Sequence, residues 1–286
     1  MRSTARWNGQ FQKLLSDEIK NGVGPFWSPD GSTLVIESAS TIYFVDPDKP
    51  DAPIVYEYGD WPTWTSDSQM IVARIGFDIG MVDKNGEFIK SFPIQHSENG
   101  ALQRPSLSPD GKKIAFIYSD YPNGTDGDVV YNLRVLDIDS GNVDKLTDFP
   151  LGTAISNALN WTADSNEIIF SYSNYESKPA SMVAKVSLAD HKVVDLVEGH
   201  TPTLSYDGTK ILFAGDWLEV IDTDGNQRAQ ITDRNIHGSW SSDNQSIVTD
   251  YGHEIHIINL NGTVEKSFPV EMCSSISLSD PPVLQP

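Results

Sequence analysis

The chain has 286 residues, and its 40 Asp and Glu against 20 Lys and Arg give a formal net charge of −20. Such a surface repels phosphate backbones and anionic lipid, which argues against nucleic-acid binding and membrane adhesion and favours cationic partners. The single cysteine, Cys273, excludes an intrachain disulfide framework and a thiolate zinc cluster; no run approaches the roughly 18 apolar residues of a membrane span, and the opening MRSTARWNGQFQKLL lacks the apolar region of a signal peptide.

The N-terminal segment 4–18, TARWNGQFQKLLSDE, reads as an outer hairpin turning at Asn8-Gly9 without an inner pair of its own. Six copies of one unit follow: GPFWSPDGSTLVI (24–36), WPTWTSDSQMIVA (61–73), RPSLSPDGKKIAF (104–116), ALNWTADSNEIIF (158–170), TPTLSYDGTKILF (201–213) and HGSWSSDNQSIVT (237–249). A partial copy, SISLSDPPVL, occupies 275–284. The anchors Trp27, Trp64, Leu107, Trp161, Leu204, Trp240 and Leu278 lie 37, 43, 54, 43, 36 and 38 residues apart, the spacing of a propeller blade. In each unit a short strand ends at the anchor, Ser-Pro-Asp-Gly or a relative makes a tight turn, and a second strand alternates apolar residues, as at Ile114, Phe116 and Tyr118. Two more strands follow, bent at Asp/Asn-x-x-Gly or Asn-Gly turns, as in WLEVIDTDGNQRAQITD (217–233).

Four antiparallel strands per unit, with no helical periodicity, predict a single all-β domain over 1–286, a β-propeller. The outer hairpin at 4–18 and the inner strand at 275–284 combine into one composite blade, so the expected count is seven, with six as the alternative. Closure by strands from both termini removes exposed sheet edges. A chain beginning in mid-blade fits either a monomer or a module of a larger protein.

The repeated Trp-Ser-Pro-Asp-Gly followed by an Ile-Ala-Phe-like strand resembles the TolB-like propeller repeat, a WD-like unit, over essentially the whole chain. The resemblance implies a propeller and a periplasmic or secreted location. Its functional implications diverge, from peptide-binding scaffold to gate beside a serine-peptidase domain to polysaccharide lyase, and the fold does not choose among them.

The Asp of each signature (Asp30, Asp67, Asp110, Asp164, Asp207, Asp243) is expected to cap its own turn, and the tryptophan anchors to sit between blades. Candidate ligand contacts come from where the repeat is broken. The loops around 93–104, 118–131, 148–158 and 171–180 are long and bring Tyr118, Tyr121, Tyr172 and Tyr175 to one side of the ring, a wall suited to a peptide or a sugar. The residues three or four before each anchor enter the axis on that face: Asp60, Trp61, Gln103, Arg104, Asn157, His200, His237 and Ser274. The leading expectation is binding without chemistry, of a protein, peptide or glycan, by Tyr118, Tyr121, Tyr172, Tyr175, Trp61, Arg104 and Asn157. Under the alternative, a uronate lyase, His200 or His237 removes the proton, a Tyr handles the second proton and Arg104 neutralises the substrate carboxylate. Resemblance to oligogalacturonate and ulvan lyases implies the same placement of His and Tyr. No histidine pair has metal-ligand spacing and no cofactor motif is present; Asp120, Asp126 and Asp128 are a weak calcium candidate beside their reading as solvated turn acids.

Overall fold

The computed structural model describes residues 23–269 except 48, 50–51, 98–99, 123–128, 157, 175–180, 235 and 252–253. Among these residues the regular structure is entirely β, in six antiparallel meanders. Blade 1 comprises β1 (Val23–Trp27), β2 (Leu34–Ser38), β3 (Thr41–Val45) and β4 (Ile54–Glu57); blade 2 comprises β5 (Gly59–Trp64), β6 (Met70–Ile75), β7 (Asp78–Asp83) and β8 (Phe88–Phe92). Blade 3 holds β9 (Ala101–Leu107), β10 (Lys113–Asp120), β11 (Val130–Asp137) and β12 (Val143–Lys145). In blade 4 the inner strand is split into β13 (Thr153–Ile155) and β14 (Asn160–Trp161), both paired with β15 (Glu167–Asn174), followed by β16 (Met182–Ser187) and β17 (Val193–Glu198). Blade 5 is β18 (His200–Leu204), β19 (Lys210–Ala214), β20 (Leu218–Asp222) and β21 (Ala229–Gln230), and blade 6 is β22 (Gly238–Trp240), β23 (Ser246–Tyr251), β24 (Glu254–Asn259) and β25 (Val264–Pro269).

The described residues therefore form six blades, not the expected seven. The segments assigned to a composite blade, 4–18 and 275–284, lie outside them.

Each blade carries the same turn between its first and second strands. In blade 1 the Ser28 hydroxyl donates to Asp30 at 2.7 Å, Asp30 accepts the Ser32 N–H at 2.9 Å, and Thr33 N–H donates back to Ser28 Oγ at 2.9 Å. The pairs Thr65/Asp67, Ser108/Asp110, Thr162/Asp164, Ser205/Asp207 and Ser241/Asp243 repeat the arrangement. All six carboxyls are held below their ordinary pKa: in Asp67, Asp164 and Asp243 the hydroxyl bond is the main cause, while in Asp30, Asp110 and Asp207 burial opposes the shift and the hydrogen bonds outweigh it.

Two sets of bonds set one blade against the next. Trp64, Trp161 and Trp240 each donate their indole N–H, at 3.0 Å, to the preceding blade, to the carbonyls of Phe26, Ser106 and Thr203. In the other direction the residue before the anchor reaches forward: Thr63 donates to the Pro105 carbonyl at 3.0 Å, and Asn160 donates to Pro202 at 2.9 Å while accepting the Leu204 N–H at 3.1 Å. Around these bonds the facing sheets bury apolar clusters, such as Val35, Ile42 and Phe44 of blade 1 against Trp64, Ile71 and Val82 of blade 2.

Replacing Trp161 by Phe removes the donor and with it the inter-blade bond accepted by the Ser106 carbonyl, a loss of about 1 kcal/mol. Urea unfolding checks it, with the surface substitution Trp217→Phe expected to stay within about 0.5 kcal/mol. The turn carboxylates give a second expectation. Their folded pKa lies below the unfolded value of 3.8, so their contribution to stability is complete above that pH and is lost as pH falls through the folded value. Urea midpoints measured from neutral pH downward should therefore fall below about pH 4, and less steeply in Asp67→Asn.

Candidate functional site

In every blade the inner strand begins at the end of the arc where the second and third strands also meet. This end is termed the entry face, and the end bearing the Asp turns the turn face. Near their start, β5, β9 and β18 each carry a β-bulge, between Asp60 and Thr63, opposite Ala115 to Ile117, and between His200 and Thr203. Trp61, Arg104 and Thr201 occupy equivalent positions in these bulges, with φ of 53°, 51° and 48°. Each is followed by proline (Pro62, Pro105, Pro202), which has no N–H to give to the ladder. A positive φ is costly for a β-branched residue such as Thr201, and it is held there by its N–H, which donates to Ser171 Oγ at 3.2 Å.

Two groups of side chains gather at this level. In the first, Trp61 lies between two cations: the Arg74 guanidinium is 4.6 Å from its ring centroid and that of Arg104 is 5.3 Å away. Arg74 is bound to the Asp60 carboxylate through Nε at 3.1 Å and through Nη2, and the Trp61 N–H donates to Glu37 at 2.7 Å. Burial, reinforced by Asp60, pushes the Glu37 carboxyl up against the opposing pull of the Trp61 N–H and the two arginines. Arg104 has no ion-pair partner among the described residues.

In the second group, Thr201 Oγ1 lies 3.0 Å from His237 Nδ1 and 3.3 Å from His200 Nδ1, and the two imidazoles meet edge to face at 5.8 Å. Burial, and secondly the charge of His237, lowers the His200 pKa, so this ring is biased toward the neutral form. Thus Trp61 joins Arg104, and His200 joins His237. Asn157 lies outside the described residues, as do Ser274, Tyr175, Asp126 and Asp128.

The tyrosines have separate environments. Tyr118 is fully buried within the packing of blades 2 and 3: its hydroxyl accepts the Ser97 N–H at 2.9 Å, and Arg134 covers its ring at 3.8 Å. It therefore presents no free face to a ligand. Tyr172 is half-buried, stacked on Phe149 at 4.7 Å, with its hydroxyl donating to Asp195 at 2.8 Å; burial and then that bond push its pKa up to about 12. Tyr121 is half-buried beyond the end of β10. Asp120, one of the calcium candidates, is bound by Ser97 at 2.6 Å and Arg134 at 3.1 Å. Among the described residues no group of three or more His, Cys, Asp and Glu is placed to hold a metal ion.

Several residues of this face were absent from the expectation. Glu37 and Arg74 both stand ten positions after an anchor, at the end of a second strand that is otherwise apolar, and that interruption is a usable signal. Thr201 was hidden by its ordinary residue type, although the following proline marks the bulge. Tyr58, Phe77, Leu151 and Trp217 project from the connections of this face, between 40% and 80% exposed. Their sequence signal is an aromatic or aliphatic residue where a turn residue is expected.

No family model matches the chain. An uncharacterized protein of Agrobacterium fabrum, Atu1656, is 28% identical over 170 residues, covering 52% of this chain and 53% of the relative, so the match spans about half of that protein. Among solved structures, a protein of Agrobacterium tumefaciens provisionally named TolB aligns with a TM-score of 0.54 at 19% identity, covering 73% of this chain and 79% of that one. Dipeptidyl peptidase 4 of Porphyromonas gingivalis aligns at 0.56 and 12% identity, over 88% of this chain and 47% of that one. At these identities the likeness establishes the propeller fold.

The histidine pair yields a measurable titration. By proton NMR the His200 midpoint should lie below 6.5 and rise toward it in His237→Asn, which removes the second charge. Because the unfolded chain takes up this proton at about 6.5 and folded His200 takes it up only at lower pH, its contribution to stability is lost as pH falls below 6.5.

Proposed function

We propose that the chain is a non-catalytic binding propeller whose entry face engages a protein or peptide partner. The observation that carries this reading is the placement of exposed apolar side chains in connections, which is confined to the entry face among the described residues, the other exposed large apolar residues (Trp27, Ile54, Val55, Phe88, Ile89 and Val264) lying within strands. Tyr58, Phe77, Leu151 and Trp217 stand on the entry-face connections, whereas the turns of the opposite face are built from Asp, Ser, Asn and Gly. Exposed aromatic side chains supply much of the binding energy in protein interfaces, and Trp, Tyr and Arg are the residues most often responsible. Trp61 and Arg104 add a centre whose geometry is fixed before a ligand arrives, which lowers the entropic cost of binding. Tyr121, Tyr172, Tyr175 and Asn157 extend the proposed surface, and the net charge of −20 favours a partner with a basic periphery. The proposed location is the periplasm or the cell exterior, in keeping with the TolB-like resemblance, and no cofactor is assigned.

Affinity capture with immobilised protein tests the proposal, in parallel with thermal-shift screening against uronate-containing and neutral glycans, since a ligand specific for the native state raises Tm. A protein retained by the wild type, lost with Phe77→Ser/Trp217→Ser and kept by the turn-face variant Asn85→Ala is the expected result. A glycan shift without such a protein would overturn it.

One observation favours a second reading, uronate lysis: a histidine biased toward the neutral form, His200, on the same face as Arg104, which has no carboxylate partner among the described residues. In that reading His200 or His237 is the base and Arg104 binds the substrate carboxylate. Growth of ultraviolet absorbance from an unsaturated product, abolished in His200→Ala and Arg104→Ala, would establish it.

A further inference from the structure

A cleft of about 470 Å3 runs along the outer edge of blades 5 and 6, and no residue of the proposed entry-face surface lines it. Its size falls within the roughly 300–1,000 Å3 of small-ligand sites. One wall is the chain from Gln230 to Arg234, at and beyond the end of β21; the other comes from β23, β24, β25 and the turn at Asn261 and Gly262.

The shortness of β21, two residues, creates the first wall. Past Gln230 the N–H groups of Ile231 and Thr232 both donate to the Leu218 carbonyl, at 2.9 and 3.3 Å, and the chain then bends at Asp233 and Arg234. The Thr232 hydroxyl holds the bend, accepting the Arg234 N–H at 3.2 Å and donating to the Arg234 carbonyl at 3.1 Å. In a regular strand consecutive side chains point to opposite faces. The bend breaks that alternation, and Asp233 and Arg234 both line the cleft. Neither has an ion-pair partner among the described residues. The Arg234 guanidinium rests over the Tyr251 ring at 4.5 Å, and Tyr251 is stacked on the buried His256 ring at 3.8 Å and 15°, so the cation has a rigid support. Beside the charges the surface is apolar, with Ile231 and Ile258 buried and Val264 exposed. The blades meet closely at the turn-face end, where a Cβ on Gly262 would stand 2.5 Å from the Ile231 carbonyl oxygen.

We propose that this cleft is a separate binding site for a small zwitterionic peptide with an apolar side chain, its ammonium group at Asp233, its carboxylate at Arg234 and its side chain on Ile231, Ile258 and Val264. Charge complementarity selects this ligand. A simple anion is opposed by Asp233 and by the net charge of −20, and a simple cation is opposed by Arg234. A neutral apolar molecule uses the floor and leaves both charges without a partner. A zwitterion satisfies the two charges together, and its apolar side chain covers the exposed face of Val264. Gln230 and Asn261, at the rim, offer side-chain amides to the peptide bond. The site does not depend on the entry-face reading.

The test is an NMR titration of the full chain with the dipeptide Leu-Leu, with N-acetyl-Leu-Leu and with Leu-Leu amide, read on the Tyr251 ring signals assigned with Tyr251→Phe. Leu-Leu should shift these signals and bind about two- to fivefold more tightly than either blocked form, the factor an exposed ion pair supplies. Arg234→Gln should remove the preference over the amide and keep that over the acetylated form, and Asp233→Asn should do the reverse. Both substitutions replace exposed side chains, so the fold is retained. Val264→Trp, which fills the cleft from its exposed side, should abolish binding. The proposal is overturned if Leu-Leu leaves the Tyr251 signals unmoved, if either blocked form binds as tightly as the free dipeptide, or if binding is indifferent to both charge substitutions. Binding lost in Phe77→Ser/Trp217→Ser and kept in Arg234→Gln would overturn it as well, by placing the peptide on the entry face. Failure of Leu-Leu to bind leaves the outcome of affinity capture at the entry face unaffected.

Discussion

The hydrogen bond from an anchor indole to the carbonyl of the preceding blade determines how high one sheet sits against the next. Apolar packing between facing sheets is strong and non-directional: it holds Ile71 against Phe44 and Val35 without specifying where along the strand they meet. A bond of 3.0 Å between Trp64 and the Phe26 carbonyl does specify it, as do those of Trp161 and Trp240. The forward bonds of Thr63 and Asn160 act at the same level of the inner strands. The inner strands are thereby held in common register from blade to blade.

Common register explains why the entry face presents an aligned set of side chains and not merely a set of loop ends. Trp61, Arg104 and Thr201 sit three residues before their anchors, so anchors fixed at one height carry these residues to one height as well. The bulge redirects each side chain, and the proline after it releases the ladder bond that a regular strand would require. Thr201 shows the energetic arrangement most clearly. Its unfavourable φ is offset by the bond of its N–H to Ser171 and by the contacts of its hydroxyl with both histidines, so local strain and site geometry are sustained by the same residues.

Much of this architecture was legible in the sequence because it depends on short-range chemistry repeated many times. Anchor spacing marked the blades, and Ser/Thr-x-Asp marked turns whose carboxylates bond within a few residues of themselves. Position before the anchor brought Trp61 together with Arg104 and His200 with His237. What escaped depends on strand length and on neighbours distant in sequence. The 54-residue interval looked like long loops, yet part of it extends β10 and β11 to eight residues each and places Tyr118 inside the sheet. The alternation around Tyr118 suits a strand continuing as well as a loop beginning. Trp27 and Trp64 hold the same position in the repeat and differ in exposure because of what lies across the blade boundary, which no local pattern records.

In the proposed binding role, charge is what would make the entry face selective. The chain as a whole is strongly acidic, but Trp61 is flanked by two guanidiniums, of which Arg74 is paired with Asp60 while Arg104 has no ion-pair partner among the described residues. Across a distance longer than the Debye length of roughly 8 Å, fixed charges are largely screened, and at shorter range the nearest one dominates. An anionic group approaching this surface is therefore disfavoured by the general acidity until it is close to Arg104, where the local cation attracts it. A ligand with a neutral or basic body and a single acidic group meets both conditions, while a uniformly acidic polymer meets only the second. The apolar residues around the face supply the complementary contribution, because burial of Phe77 or Trp217 against a partner does not depend on the sign of its charge.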